Sequence, residues 1–304
     1  MSPMPRVEVT VERTASGAAL LPLELPIEKS SRYAWLAWAA AGVLLLALYG
    51  QIAASLASDW WNEPNASHGL LVPPLAAYIA WKRKHLTLSL PVEPTLRGLF
   101  WIVGGCLVLL IGKLGAEFFL SRISMVILLT GFVYTFWGKR RLKTLAFPLV
   151  LLATMVPLPV IVYNSLAQPL QLFASHVATG IAQWAGVSIY QEGNVIQLAT
   201  TTLGVEEACS GLRSLSALVV MALLLGFLVC RRPLVRVLLV ALAVPIAIFV
   251  NVLRVAGTAI LADHNPEFAM GFYHTFSGWL IFLMGIALVF GACQFLHKYM
   301  DRAI

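Results

Sequence analysis

Eight apolar runs constrain this chain more than any other feature. They fall at roughly 34–57, 69–81, 98–114, 119–138, 144–163, 210–230, 234–262 and 274–296. A helix needs ~20 consecutive apolar residues to cross the hydrocarbon core of a bilayer, and several runs come close to that length. The expected fold class is therefore an all-α polytopic membrane protein with about eight transmembrane helices. Composition agrees. The chain is 60% hydrophobic and 12% charged, where soluble domains carry roughly 25% charged residues. The second run is short and contains Pro73-Pro74. It either reaches back to Ser67–Gly69 or is a broken helix.

Charge sets the expected orientation. With the N-terminus inside, the inner segments hold Arg6, Arg13, Lys29, Arg32, Lys82, Arg83, Lys84, Arg97, Lys139, Arg140, Arg141, Lys143, Arg231, Arg232, Arg236, Lys298 and Arg302. That is 17 of the 21 basic residues, with only Lys113, Arg122, Arg213 and Arg254 left outside. The positive-inside bias thus places both termini in the cytoplasm and favours an even number of spans. It also assigns the net charge of +7 to inner loops, so no nucleic-acid partner is expected. Residues 1–33 are polar, hold four prolines and read as a disordered cytoplasmic tail. A cleavable signal peptide does not fit, because the first apolar run starts too late and is too long. Residues 34–304 then form one integral-membrane domain, with a periplasmic insertion at about 164–208.

Two outer segments are polar enough to carry chemistry. The first, 58–68, includes Trp60-Trp61, a pair suited to the membrane interface, and His68. In the second, Leu166, Leu170, Phe173, Val177, Ile181 and Trp184 recur at helical spacing, with Gln168, Gln171, Ser175 and Gln183 between them. An amphipathic helix results, lying on the outer leaflet or packed against the bundle. Ile189–Gln191, a Glu192-Gly193-Asn194 turn and Val195–Leu198 follow as a short β-hairpin. The hairpin delivers the chain to Cys209.

Cys209 lies in Glu206-Glu207-Ala208-Cys209-Ser210-Gly211-Leu212-Arg213, at the mouth of an apolar helix. A helix N-terminus favours the thiolate, the reactive form of cysteine. Cys106, Cys230 and Cys293 lie in apolar runs and read as core. No Cys-x-x-Cys pair occurs, so neither a disulfide framework nor a zinc site is expected, and no cofactor is called for. Arg254 stands inside an otherwise apolar span, and such residues are usually functional or paired. Asn251, three residues earlier, shares its helix face. His274 opens the last run.

Counting residues brings these groups to one depth. Cys209 lies 22 residues before Arg231, Arg254 lies 22 after Arg232, and His274 lies 23 before His297. At 1.5 Å per residue each is ~30 Å from the inner edge, about one hydrocarbon thickness. A thiolate nucleophile, a histidine to accept and return its proton, and an arginine to stabilise an oxyanion together describe acyl transfer through a thioester.

Glu207-Ala208-Cys209-Ser210-Gly211, then Asn251-Val252-Leu253-Arg254, then a histidine opening the final span resemble the exosortases and, more distantly, the archaeosortases. Pro157-Leu158-Pro159 with the Leu- and Gln-rich segment after it also fits. The resemblance covers roughly 60–300. It implies a cysteine protease or transpeptidase of the Gram-negative inner membrane, with its site facing the periplasm. The implied substrates are exported proteins ending in a Pro-Glu-Pro motif, a transmembrane helix and a basic tail. Cleavage near that motif would accompany export, often alongside exopolysaccharide production; water as acceptor gives a protease, and a lipid or glycan amine or hydroxyl gives a transpeptidase. Carried over, Cys209 is the nucleophile, Arg254 the oxyanion or substrate-orienting group, and His274 the general base and acid.

Glu206, Glu207, Ser210, Gly211, Arg213 and Asn251 are expected to organise the site rather than react. A purely structural account would pair Arg254 with Glu206 or Glu207 and let His274 cap the last span. His68 and His176 fit interfacial packing. A lateral gap near the Asn251–Arg254 face is the expected route for a substrate helix. Two other classes compete. A transporter would place polar residues along several spans, and these are almost wholly apolar. A lipid-linked acyltransferase would use the same thioester.

Overall fold

The computed structural model describes residues 31–199, 201–204, 212–266 and 271–301. The chain divides into two units, 1–48 and 49–304. Of the expected tail, residues 1–30 lie outside the described residues, and Ser31 already opens the first helix. The helices are α1 (Ser31–Asn62), α2 (Val72–Lys82), α3 (Lys84–Ser89), α4 (Arg97–Leu114), α5 (Phe118–Ala153) and α6 (Val160–Trp184). A sheet of β1 (Ile189–Glu192), β2 (Val195–Leu198) and β3 (Thr202–Gly204) comes next. Then follow α7 (Leu212–Val229), α8 (Pro233–His264) and α9 (Gly271–Leu296).

Among the described residues, helices stand at all eight apolar runs, and fewer than eight of them are long enough to count as full spans. Among the described residues five helices are long and apolar enough to cross a bilayer: Gly42–Asn62, Arg97–Leu114, Phe118–Ala153, Pro233–His264 and Phe276–Asp301. The described part of the apolar stretch before Arg231, Arg213–Val229, is shorter. The second run is the broken alternative. Ser67–Leu70 is a 3-10 turn, and Pro73-Pro74 sit in the first turn of the 11-residue α2, where a missing N–H costs nothing. At 1.5 Å per residue α2 rises only ~16 Å. The run at 144–163 is cut at Ala153, and α6 begins after Pro157-Leu158-Pro159.

The 36-residue α5 folds back on itself. Asp59 and Trp60 are neighbours on α1. Asp59 pairs with Arg122 at 2.6 Å, while the Trp60 indole N–H donates to the Met155 carbonyl at 2.9 Å. In a straight helix Arg122 and Ala153 would stand ~46 Å apart. The reversal occurs at Gly138, whose φ of 81° and ψ of 176° break the helix. A Cβ there would collide with the Glu93 carbonyl oxygen, so the position demands glycine twice over. The segment before α4 braces the tip. Thr95 N–H donates to the Thr135 carbonyl at 3.0 Å, and Arg141 donates to the Leu90 carbonyl at 2.7 Å. The first apolar arm and the second were expected as separate spans, and the hairpin keeps them antiparallel. Arg122 itself is buried and also donates to Ser55 at 3.0 Å.

Glycines set how closely α4 meets the first arm of α5. Gly98, Gly105 and Gly112 recur every seven residues and face Thr135, Leu128 and Ser121 in antiparallel register. A Cβ on Gly105 would lie 3.1 Å from the Leu128 backbone nitrogen, and one on Gly112 would lie 2.6 Å from that of Ser121. Lipid is as apolar as leucine, so helices in it associate by close backbone approach rather than by burying large side chains. Cys106, expected in the core, is exposed on α4 because this glycine stripe, not the cysteine, faces the partner helix. Cys230 and Cys293 are buried as expected.

α7, α8 and α9 form a second cluster around Leu218, Ala222, Leu239, Ala243, Ala247, Val289 and Cys293. α8 runs antiparallel to α7 and α9. At one end the Asp301 carboxylate accepts the backbone N–H groups of Arg231 and Arg232 at 2.6 and 2.9 Å, capping α8 with the last turn of the chain.

Replacing Gly112 with Val should lower the thermal midpoint of the detergent-purified protein, with overpacking costing roughly 1–3 kcal/mol or more. Gly104→Val, where nothing lies within 4 Å of a new Cβ, should leave it nearly unchanged. Equal midpoints for the two variants would contradict the glycine-stripe account.

Candidate active site

Arg254 is where the candidate site can be read most directly. It sits 21 positions past Pro233, the first residue of α8, and Asn251 lies one turn before it. The guanidinium lies on the backbone of α9 at Gly278. A Cβ on that glycine would stand 3.1 Å from Nη2 and 3.2 Å from Cζ of Arg254. A side chain at 278 would therefore displace the arginine head. Position 274 lies one turn before 278 and shares its helix face. The His274 side chain lies outside the described residues, but its backbone place in α9 is within one turn of the guanidinium contact.

Helix register brings α7 to the same level. α7 and α9 run parallel, pairing Leu218 with Gly285 and Cys230 with Cys293. The same offset carries the first turn of α7, from Leu212, to the level of Gly278. Leu215 of α7 meets Ala247, Ile248 and Asn251 of α8. The start of α7, three residues after Cys209, thus stands at the Arg254 end of the bundle. Cys209 itself lies outside the described residues, as do Glu206, Glu207, Ser210 and Gly211. Arg213 is exposed in the first turn of α7, where its carbonyl accepts from the Ser216 hydroxyl at 3.1 Å.

The expected hairpin is present and gains a third strand. Ile189 pairs with Leu198 and Glu192 with Val195, around a turn in which Gly193 has φ 62°. β3 then pairs Leu203 with Ile196. The buried side of the sheet and the end of α6 pack on the last turns of α8, through Ile196, Leu198 and Leu203 against Val255, Ala256, Ala259 and Ala262. These contacts lie just beyond Arg254. The sheet therefore leads the chain to the 205–211 segment from the Arg254 end.

α6 packs against the bundle, the second of the two expected placements, on its small-residue face, with Leu170, Val177 and Ile181 of the apolar stripe half-buried beside it. Ala167, Ala174, Ser175, Ala178, Thr179 and Ala182 are buried, whereas Leu166, Phe173 and Trp184 are exposed. Small residues let α6 approach α8 closely, and the large apolar side chains face outward, where lipid suits them. The two helices run parallel here, with Ala174 near Ala247 and Asn251, Ala178 near Val255, and Ala182 near Ala259. Asn251 is 7% exposed beneath α6 and α7. The space left there is about 10 Å³, the size of one water, so α6 covers the Asn251 end of the face where a lateral gap was expected.

His68 is half-buried in the 3-10 turn, with Nε2 3.3 Å from the Thr154 carbonyl. Burial holds its pKa below the ordinary histidine value, outweighing its backbone hydrogen bonds to Thr154 and Asn65. His176 is exposed. Gly278 is the residue that sequence reasoning missed. Its signal was present: a glycine inside a helix costs ~1 kcal/mol relative to alanine and often marks close backbone approach.

Several helices long enough to cross a bilayer, with an arginine set between two of them, define a multi-pass membrane protein. Comparison with protein families gives the finer assignment. The chain belongs to the transmembrane exosortase family, whose model matches residues 60–291, about three quarters of the sequence. No curated protein and no solved structure gives a significant match. Membership supports a membrane transpeptidase or protein-sorting role in general terms.

A histidine with a depressed folded pKa binds its proton more readily in the unfolded chain. Stability is then fully present above the unfolded value of about 6.5 and declines as pH falls from there toward the folded pKa. The thermal midpoint should drop between neutral and mildly acidic pH, and His68→Gln should flatten that drop. An unchanged pH profile in the variant would rule His68 out as a source.

Proposed function

We propose that this protein is a cysteine transpeptidase of the bacterial inner membrane, acting at its periplasmic face on exported proteins. The substrates would end in a Pro-Glu-Pro motif, a transmembrane helix and a basic tail. What most supports this reading is the Arg254 guanidinium seated on Gly278. It lies one helical turn from His274 and at the level where α7 opens after Cys209.

The Cys209 thiol first gives its proton to His274. The thiolate then attacks the scissile carbonyl carbon, forming a C–S bond and placing negative charge on the carbonyl oxygen. Arg254 stabilises that oxyanion, a task suited to a permanent cation already positioned by its packing on Gly278. Collapse breaks the C–N bond, and His274 protonates the departing amine. The thioester on Cys209 is then attacked by an acceptor amine or hydroxyl, or by water. His274 takes the acceptor's proton, the C–S bond breaks and the thiolate is restored. Membrane helices confine the substrate to two dimensions, and its basic tail obeys the same inner-charge bias as the enzyme.

Co-expression with a tagged substrate of this kind tests the reading. Cys209→Ala should abolish processing at normal membrane levels. Arg254→Gln should reduce it by about 10²–10³-fold, the usual loss when an oxyanion donor is removed. Gly278→Val should also reduce it by moving the guanidinium. Processing that persists in Cys209→Ala would overturn the nucleophile assignment.

A further inference from the structure

A second charged site lies at the opposite end of the α7–α8 pair from Arg254. Phe227, two residues before the end of α7, stacks on Phe147 with ring centroids 3.6 Å apart and planes 5° from parallel. One face of the Phe227 ring is thereby covered. Two guanidinium groups crowd the remainder. Arg83 lies with Cζ 4.4 Å from the ring centroid, and Arg236 with Cζ at 5.5 Å. They come from separate elements: Arg83 joins α2 to α3, and Arg236 stands in the first turn of α8. Arg83 is held in place by donating to the Thr144 carbonyl at 3.0 Å, and Arg236 by donating from Nε to the Cys230 carbonyl at 3.0 Å.

Like charges drawn together need a compensating anion. Among the described residues neither arginine has a carboxylate within ion-pair distance. The carboxylates at this end are already engaged. Glu93 pairs with Arg140 at 3.3 Å, and Asp301 holds the Arg231 and Arg232 N–H groups and His297. The helix dipole adds to the imbalance, since the first turn of α8 is its positive end and disfavours a cation there. Burial and the charge of Arg236 hold Arg83 below the ordinary arginine pKa, the direction expected of an uncompensated pair.

The surroundings say what sort of anion fits. Leu86, Leu228 and Leu234, close in sequence to the three site residues, are exposed large apolar side chains. Trp81 and Tyr78 lie in the last turns of α2, just before Arg83, with Lys84 over the Trp81 ring at 4.9 Å and Lys82 over the Tyr78 ring at 5.5 Å. Aromatic rings beside lysines at the ends of apolar helices mark a membrane–water boundary. A ligand here meets two planar cations at one end and an apolar surface alongside. Guanidinium groups match the tetrahedral oxygens of phosphate in paired hydrogen bonds. We propose that Arg83 and Arg236 together bind the phosphate of an anionic phospholipid, with its acyl chains running along α7 and α8. The site does not depend on the transpeptidase reading.

The full-length protein, purified in detergent and stripped of lipid, would be titrated with phosphatidylglycerol or phosphatidylcholine in mixed micelles. Bound lipid would be counted by native mass spectrometry and stability read as the thermal midpoint. Wild type should retain phosphatidylglycerol at about ten-fold lower concentration than phosphatidylcholine. Arg83→Gln with Arg236→Gln should erase that preference, the Arg83→Lys, Arg236→Lys pair should keep part of it, and Lys84→Gln should keep nearly all. Millimolar inorganic phosphate should not replace the lipid. Equal retention of the two lipids by wild type would overturn the proposal, as would an unchanged preference in the double glutamine variant. Stabilisation by inorganic phosphate equal to that by phosphatidylglycerol would overturn the assignment to lipid. Should the glutamine pair fail to fold, the wild-type comparison and the lysine pair still decide.

Discussion

An arginine set into an apolar helix must be given both room and a neighbour, and Arg254 gets its room where α8 crosses α9. The room comes from Gly278, whose missing side chain lets the guanidinium lie against the helix backbone. Much of the surrounding architecture follows from holding that crossing in place. The core of small and aliphatic residues in α7, α8 and α9 fixes the helices below it. The sheet and the end of α6 grip the last turns of α8 above it. At the far end, Asp301 ties the start of α8 to the end of the chain. A guanidinium seated on helix backbone is fixed in place, and a pre-positioned charge is what stabilises a transition state most effectively.

The other half of the molecule obeys the same rule of close approach. The glycine stripe of α4 and the reversal of α5 at Gly138 are places where backbone meets backbone and a Cβ would not fit. Charges that cannot reach water there are paired. Arg122 is held by Asp59 and Ser55, and breaking such a buried pair from one side usually costs more than the pair contributes. Large apolar residues such as Phe100, Ile111 and Phe173 are left on the outside. In water that would be an aggregation hazard, whereas against acyl chains it costs nothing.

This inversion explains what the sequence made legible and what it did not. Hydrophobic runs located most of the long helices, because length and apolarity are local properties, and helical spacing located α6. The hairpin at 189–198 was readable from its Gly-containing turn. The count of spans was not, since the fate of the second and fifth runs rests on Pro73-Pro74 and Pro157-Leu158-Pro159, whose effects depend on what packs beside them. The orientation of α6 misled for a physical reason. A stripe of Leu, Phe and Trp marks the buried face of a soluble helix, but here Ala, Ser and Thr form the buried face. Cys106 was misplaced by the same logic. For the site, counting residues from the basic ends put Arg254 and position 274 at one level, and the Gly278 contact agrees. The closure of Asn251 under α6 was out of reach, because it depends on two helices 70 to 80 residues apart in sequence meeting in parallel.

The central claim is that Cys209 carries the acyl group while Arg254 steadies the charge that forms on it. Trapping that intermediate is the most direct test. Purified protein in lipid nanodiscs would be mixed with a substrate segment containing the Pro-Glu-Pro motif and its helix, quenched in acid and digested for mass spectrometry. The account predicts an acyl adduct on Cys209 that hydroxylamine releases, and much less of it in Arg254→Gln. Turnover of the substrate with no adduct on Cys209, or with a stable adduct on another residue, would contradict it.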